Sequence, residues 1–503
     1  MATRPAGMFV RKPLETVRAE AANTGMRRSL GPVQLVLIGI GCIIGAGVYV
    51  MTGTAAANYA GPAVVLSFAI AGLACAFTGL CYAELASVLP ASGASYTYAY
   101  AAMGEPVAWG LGWMFMLECW LAGSALAVGF AGYFVSLLRD FGVRVPAVLS
   151  SPLVQGEMSP AGVHFAYTGS LNLVAAAALA AAAAVLVRGI TQSAAVNSLL
   201  VAIKIGVLFG FVAIGIGHVD TANWTPFIPP SEGGFRYGVP GVLRAASILF
   251  FAYFGFEAVA TAAAEARRPQ RDIPIGILGA LGVSTLIYGV VALVLTGLVS
   301  YRTLGVPDPI AVAVGAIGMP VAAVVIKIGA LTGLASVLLV NTYGQSRVLY
   351  AIAADGLVPP ALARIDPRFG TPVNGTLLVA ALSAVAAALL PITLLADLVS
   401  IGTACVFTTV AISVMWLRSS HPDLPRPFRV PFGGIRVGNA WIGVVPALAI
   451  LLCLTMMAPV LIDIAAKAIA GEWLPGTILL VYIALGTLIY VRYGRHHSRL
   501  RHG

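Results

Sequence analysis

Charge is scarce in this chain: Asp and Glu total 19 and Lys and Arg 29 in 503 residues, so 10% are charged, against about 25% in an ordinary soluble domain. With a mean hydropathy of +0.94, that scarcity excludes a soluble enzyme. Histidine is equally thin. His164, His218, His421, His496, His497 and His502 are scattered over tails and connections, with no metal-ligand spacing and no carboxylate-and-serine set beside them, which speaks against a catalytic cluster. The six cysteines (Cys42, Cys75, Cys81, Cys119, Cys405, Cys453) all fall inside apolar stretches and read as small apolar residues rather than disulfides or ligands. The first 30 residues carry six Lys or Arg and no apolar run of signal-peptide length, so the N-terminus is expected to stay in the cytoplasm.

What is abundant is long apolar sequence. Runs able to cross a bilayer occur near residues 33–57, 63–88, 106–138, 171–187, 193–217, 241–264, 274–299, 321–350, 373–390, 395–417, 441–462 and 475–491. They predict twelve transmembrane helices, since one crossing takes about 20 residues, and leave no room for a large soluble domain. An even number of spans puts both termini on one side. With the N-terminus cytoplasmic, the inner segments hold 21 of the 29 basic residues and the outer segments six (Arg139, Arg144, Arg236, Arg244, Arg302 and Lys467), while Lys204 and Lys327 lie within spans. That asymmetry predicts cytoplasmic termini. The net charge of +10 is thereby explained by topology, and nucleic acid is not an expected partner.

Two spans read as interrupted. The first contains glycines at 39, 41, 45 and 47, each about 1 kcal/mol worse than alanine in a helix. Close helix packing through small residues is the plainer reading of such a stretch; a dinucleotide-binding loop is excluded by the spacing and by the lack of a preceding strand. The sixth span carries Phe250-Phe-Ala-Tyr-Phe-Gly-Phe-Glu257, which opens the second half if spans one to five and six to ten are two copies. Interrupted helices at corresponding positions of two halves point to a midplane substrate site. Unwinding frees N–H groups suited to a carboxylate and carbonyls suited to an ammonium, the two ends of an α-amino acid.

Three ionisable residues lie near mid-span: Glu118, Lys204 and Glu257. A charge there costs about 2.5 to 3.5 kcal/mol on insertion scales, so each needs a partner. Lys204 reads either as a cation substitute or proton carrier, or as a tether to backbone carbonyls. Glu118 meets a cationic substrate side chain, serves as a proton site, or pairs with another helix. Glu257, just after the sixth-span break, caps or braces it. Lys327 and Asp397 sit nearer the outer ends of their spans and are expected to snorkel.

The break Gly41-Cys-Ile-Ile-Gly-Ala-Gly47 resembles the first-helix motif of the amino acid–polyamine–organocation superfamily. Longer stretches are similar to its cationic amino acid transporter family: Tyr82-Ala-Glu-Leu-Ala-Ser-Val-Leu-Pro-Ala-Ser-Gly-Ala-Ser-Tyr-Thr-Tyr-Ala-Tyr100, Ala264-Glu-Ala-Arg-Arg-Pro-Gln-Arg-Asp-Ile-Pro274, Gly344-Gln-Ser-Arg-Val-Leu-Tyr-Ala-Ile-Ala-Ala-Asp-Gly356 and Pro425-Arg-Pro-Phe-Arg-Val-Pro431. Ala354 departs from the family's more common basic residue, and Glu257 from its usual Asp. Twelve spans rather than the fourteen of animal relatives suggests a bacterial member, in the inner membrane.

The resemblance implies an all-α integral membrane fold with a 5+5 inverted repeat like that of the sodium-coupled leucine transporters. Residues 1–30 would form a cytoplasmic tail, 31–217 and 241–417 the two repeats, and 418–503 a cytoplasmic loop, two further helices and a basic tail. It implies a substrate carboxylate on the N–H groups of Gly45, Ala46 and Gly47, and an amino group on carbonyls near Ile43, Phe251, Ala252 and Phe254. Phe251 would close over the substrate as a gate. Lys204 matches the fifth-helix lysine of proton-coupled relatives, with Ser336 as a neighbour. Asn341, facing the substrate side chain or hydrogen-bonding between helices, tilts the expectation with Glu118 towards arginine, lysine or ornithine over alanine-like substrates. The expected function is secondary active amino acid transport by alternating access, coupled to protons or to exchange. The expected partners are an amino acid, a proton and the lipid bilayer, with a small membrane subunit as a further candidate, and no cofactor is implied. The rival classes are a membrane-embedded enzyme, a channel, and a sensor that binds amino acids without flux.

Overall fold

A computed structural model describes residues 10–15, 29–89, 93–159, 162–189 and 194–502. Arg4, Arg18, Arg27 and Arg28 of the basic tail, and residues 90–92 of one quoted motif, lie outside the described residues. Each apolar run read from the sequence coincides with helix. Among the described residues nine helices are long and apolar enough to cross a membrane; three shorter apolar helices are Pro32–Ile43, Leu173–Val187 and Val373–Leu389. The all-helical expectation needs one correction. Two short antiparallel hairpins, Val154–Ser159 with Gly162–Tyr167 and Gly434–Val437 with Ala440–Gly443, stand in the connections after the third and tenth spans, where backbone pairing satisfies polar groups outside the helix bundle.

The packing follows a regular rule. The second span (Val64–Val88) lies on the seventh (Pro269–Leu298), the third (Glu105–Asp140) on the eighth (Pro320–Ala354), and the fourth (Leu173–Val187) on the ninth (Val373–Leu389). The first meets the sixth at their breaks. Each helix of this set therefore touches the one five places later. The third also packs on the tenth (Ile392–Ser420), and the tenth on the eleventh (Val444–Ile469).

Three of the quoted motifs are tied to one another at one end of the bundle. Glu84, at the end of the second span, receives Nε and Nη2 of Arg418 at 2.8 and 2.5 Å and the N–H of Val430 at 2.7 Å. The proline-rich stretch thus docks on the motif that begins at Tyr82. Tyr96 donates to Asp355 at 2.8 Å, joining that same motif to the end of the eighth span. Asp272, in the first turn of the seventh span, accepts from the N–H of Arg268, the residue at the helix's N-terminal end, at 3.1 Å. These residues brace the fold and stand apart from the helix breaks.

Two expectations about snorkelling are overturned. Asp397 is buried against Arg244, which the sequence analysis placed in an outer connection. The fully buried Arg244 lies in helix Gly238–Leu249 and gives Asp397 a two-point pair at 2.7 Å for each nitrogen, and Nη2 also reaches Asp463 of the eleventh span at 3.0 Å. Its guanidinium lies over the Tyr59 ring, 5.2 Å from the centroid. A planar fork paired through both terminal nitrogens tolerates burial where a lone carboxylate does not, and only its Nε lacks a hydrogen-bond partner among the described residues. Lys327 is likewise buried, with Nζ 2.6 Å from Asp140 and 3.8 Å from Asp308.

Candidate functional site

The first span breaks where its sequence cannot sustain a ladder. Helix Pro32–Ile43 stops as Ile44 turns extended (φ −72°, ψ 100°), and the chain resumes in a wide π-type turn over Gly47–Met51, a geometry that recurs at functional positions. The N–H groups of Gly45, Ala46 and Gly47 stand at the head of this restarted half, where no preceding turn offers them carbonyls.

The sixth span breaks by a different route. Helix Gly238–Leu249 tightens into a 3₁₀ turn over Phe250–Tyr253, Phe254 is extended (ψ 137°) and Gly255 takes φ 108° before a short helix resumes at Ala258–Thr261. That φ favours glycine, and packing demands it as well. A Cβ on Gly255 would lie 2.9 Å from the Cys42 carbonyl oxygen, and one on Gly47 would lie 2.4 Å from the Cβ of Ala252. The two breaks are therefore in direct contact through their glycines.

A residue missed in the sequence joins them. Tyr288 of the seventh span donates its hydroxyl to the carbonyls of Ile43 (2.9 Å) and Ala252 (3.1 Å). The family resemblance implies that these carbonyls are open to an amino group. A hydroxyl has one proton, so it serves one of them at a time and leaves the other for a second donor. Phe251 is 4% exposed and its carbonyl accepts from the N–H of Phe254 at 3.0 Å; Phe254 itself is half-buried. A tyrosine within an apolar span carries no local signal that its oxygen faces breaks 36 and 245 residues away in the sequence, which is why periodicity does not find it.

Lys204, 1% exposed, sends Nζ to the carbonyl of Gly41 at 2.8 Å. Its backbone carbonyl accepts from the Tyr49 hydroxyl at 3.3 Å, and the Tyr49 carbonyl accepts from Tyr133 at 2.8 Å. The fifth, first and third spans are thereby linked through one buried cation and two phenols. The eighth-span residue against the Lys204 stem is Gly333, where a Cβ would lie 3.2 Å from Cγ. Ser336 is one turn further along and donates to the Gly333 carbonyl at 2.9 Å.

Glu118 is fully buried. Its Oε1 accepts from Thr403 of the tenth span at 2.6 Å, and its Oε2 has no hydrogen-bond partner among the described residues. Asn341 of the eighth span donates to the carbonyl of Cys119, next to Glu118, at 2.9 Å. Glu257 accepts from the N–H of Gly255 at 3.2 Å, so one of its oxygens braces the sixth-span break. Gly45, Ala46, Gly47, Phe251, Ala252 and Lys204 thus gather around the joined breaks, with Glu118 and Asn341 linked through the third span. Among the described residues no group of three or more His, Cys, Asp or Glu side chains is arranged to hold a metal ion.

Joined helix breaks at mid-bundle, with a buried lysine on one of them, belong to a transporter rather than an enzyme, and comparison with known proteins agrees. A family model described as amino acid permease matches residues 30–490. The methylthioribose transporter of Bacillus subtilis (strain 168) is 40% identical over 98% of this chain and 99% of its own. The branched-chain amino acid permease BcaP of the same organism is 38% identical over the same shares. Cationic amino acid transporter 9, chloroplastic, of Arabidopsis thaliana is 41% identical over 70% of this chain and 59% of its own length. These relatives are named for transport and none for catalysis. With its two contacting helix breaks and a match that runs nearly end to end, the chain belongs to the amino acid permease family, within the amino acid–polyamine–organocation superfamily.

Proposed function

We propose that this protein is a proton-linked amino acid transporter of the bacterial inner membrane, working by alternating access between two inverted five-helix repeats and favouring cationic substrates. The observation that carries the reading is the Lys204 ammonium on the Gly41 carbonyl, inside a first-span break that touches the sixth-span break. A fixed cation at that point holds the fifth span to the first as a bound ion would, and loss of its proton releases Gly41. Pairing of the first four spans with those five places later supports residues 31–217 and 241–417 as the repeats, and the excess of basic residues on one set of connections supports twelve crossings with both termini cytoplasmic.

The substrate carboxylate then meets the N–H groups of Gly45, Ala46 and Gly47 at a half-helix N-terminus. The ammonium takes whichever of the Ile43 and Ala252 carbonyls Tyr288 leaves, with Phe251 and Phe254 beside it. The cationic preference rests on the open Oε2 of Glu118, an acceptor for a guanidinium or a side-chain ammonium, with Asn341 nearby. Neutral substrates are the second reading, favoured by the branched-chain name of a relative similar over the whole chain.

Competition in proteoliposomes separates the two. Labelled arginine uptake is expected to be inhibited by lysine and ornithine more than by leucine or alanine. Glu118→Gln and Asn341→Met are expected to weaken arginine more than alanine. Equal inhibition by leucine and lysine, with equal loss in both variants, removes the cationic preference and leaves transport itself intact.

A further inference from the structure

The third and twelfth spans meet at one end in an aromatic clasp. Trp109 and Trp113 stack with ring centroids 5.4 Å apart, and Tyr490 stacks on Trp109 at 5.8 Å. The indole N–H of Trp109 donates to the Gly486 carbonyl at 3.1 Å and that of Trp113 to the Tyr482 carbonyl at 2.9 Å. With both indole donors engaged, and with Trp109 stacked on Trp113 and Tyr490 and Trp113 stacked on Tyr482, the rings offer a neighbour only their hydrocarbon edges. Beside them lies a cavity of about 630 Å³ lined by these three rings, by Gly110, and by Arg495 and Arg501.

The polar groups at this cavity are nearly all committed. Arg501 donates Nε to the buried Glu105 at 2.7 Å and Nη2 to the Tyr490 hydroxyl at 3.1 Å. The Thr487 hydroxyl turns back to the Ile483 carbonyl at 2.9 Å. Arg495 is exposed and makes no ion pair among the described residues. A trough of aromatic and aliphatic surface with one open cation at its end complements an amphiphile with an anionic head. An amino acid or free phosphate would leave the apolar walls uncovered.

The setting fits that occupant. Only 17% of the most apolar window of helix Leu474–His497 is buried in the protein, so this helix faces the bilayer. Arg492, Arg495 and Arg499 are exposed at its end, the pattern of aromatic rings and basic residues found at a membrane–water boundary. We propose that this trough binds one anionic phospholipid, an acyl chain lying along the edges of Trp109 and Trp113 and the phosphate on Arg495.

Native mass spectrometry of the full chain, released from detergent with phosphatidylglycerol or phosphatidylcholine of identical acyl chains, tests this. Wild-type protein is expected to retain one phosphatidylglycerol in preference to phosphatidylcholine. Arg495→Ala should lower that retention about fivefold, the weight of one basic residue near an anionic headgroup, with partial recovery in Arg495→Lys. A Cβ on Gly110 meets no atom within 4 Å, so Gly110→Leu fills the trough without disturbing the core and should abolish retention. Arg499→Ala, outside the trough, should not change it. Equal retention of the two lipids overturns the proposal, as does an effect of Arg499→Ala equal to that of Arg495→Ala. A dimer that Gly110→Leu dissolves would overturn it too, by making the trough an interface between copies. If Gly110→Leu alters the thermal transition, the three arginine variants decide the matter.

Discussion

The ammonium of Lys204 lies 2.8 Å from the carbonyl oxygen of Gly41. A side chain on the fifth span thus holds the backbone of the first at the point where its helix fails, and a change in the lysine's proton is felt by the half-helix that frames the candidate substrate site. Charge at membrane depth is costly, and a carbonyl freed by unwinding is one of the few partners available there.

Tyr288→Phe removes the donor shared by the Ile43 and Ala252 carbonyls. The substrate-free variant is expected to lose about 1 to 3 kcal/mol of stability, the cost of leaving a buried acceptor unpaired, read as a lower thermal transition in detergent. The substrate's ammonium replaces the missing donor, so the rise in transition temperature on adding substrate should be larger in the variant than in wild type. An equal or smaller rise separates Tyr288 from the substrate site.

Gly47→Ala places a methyl 2.4 Å from the Cβ of Ala252 and 2.6 Å from its Cα. Overpacking of this kind costs about 1 to 3 kcal/mol, and here it pushes the two breaks apart, so substrate affinity should fall together with stability. Gly110→Ala, which meets open space, is the control and should leave transport unchanged. Comparable uptake by both variants would mean that close approach of the breaks is not required.

Arg244→Met leaves Asp397 and Asp463 without their shared guanidinium. Removing one partner of a buried pair costs about 3 to 5 kcal/mol, so the single variant should be strongly destabilised. The double variant Arg244→Met with Asp397→Leu replaces the principal pair by apolar groups and should recover much of the loss. If the double is no more stable than the single, the contacts to Asp463 and Tyr59 dominate the cluster.

Much of the fold was legible because a bilayer forces its signal into long apolar runs, each of which falls on helix. The first-span break was visible in four glycines within nine residues, too many for a helix to absorb. Arg244 was misread because an arginine near the end of an apolar run has the pattern of a connection; only the tenth and eleventh spans, distant in sequence, supply the carboxylates that draw it inside. Tyr288 and Thr403 escaped for a related reason: a hydroxyl in an apolar span gives no indication of which distant carbonyl or carboxylate it meets. Of the quoted motifs, Gly41–Gly47 falls on the candidate substrate site, whereas many polar side chains of the longer ones tie helix ends together.

The most direct test of coupling is labelled amino acid uptake by proteoliposomes holding wild-type or Lys204→Ala protein, with an inward proton gradient, an inward sodium gradient, or none. Proton linkage through Lys204 predicts concentrative uptake by wild type under the proton gradient alone, and only equilibration or no uptake by Lys204→Ala under every condition. Sodium-driven uptake indifferent to pH, or wild-type accumulation by Lys204→Ala, would contradict it.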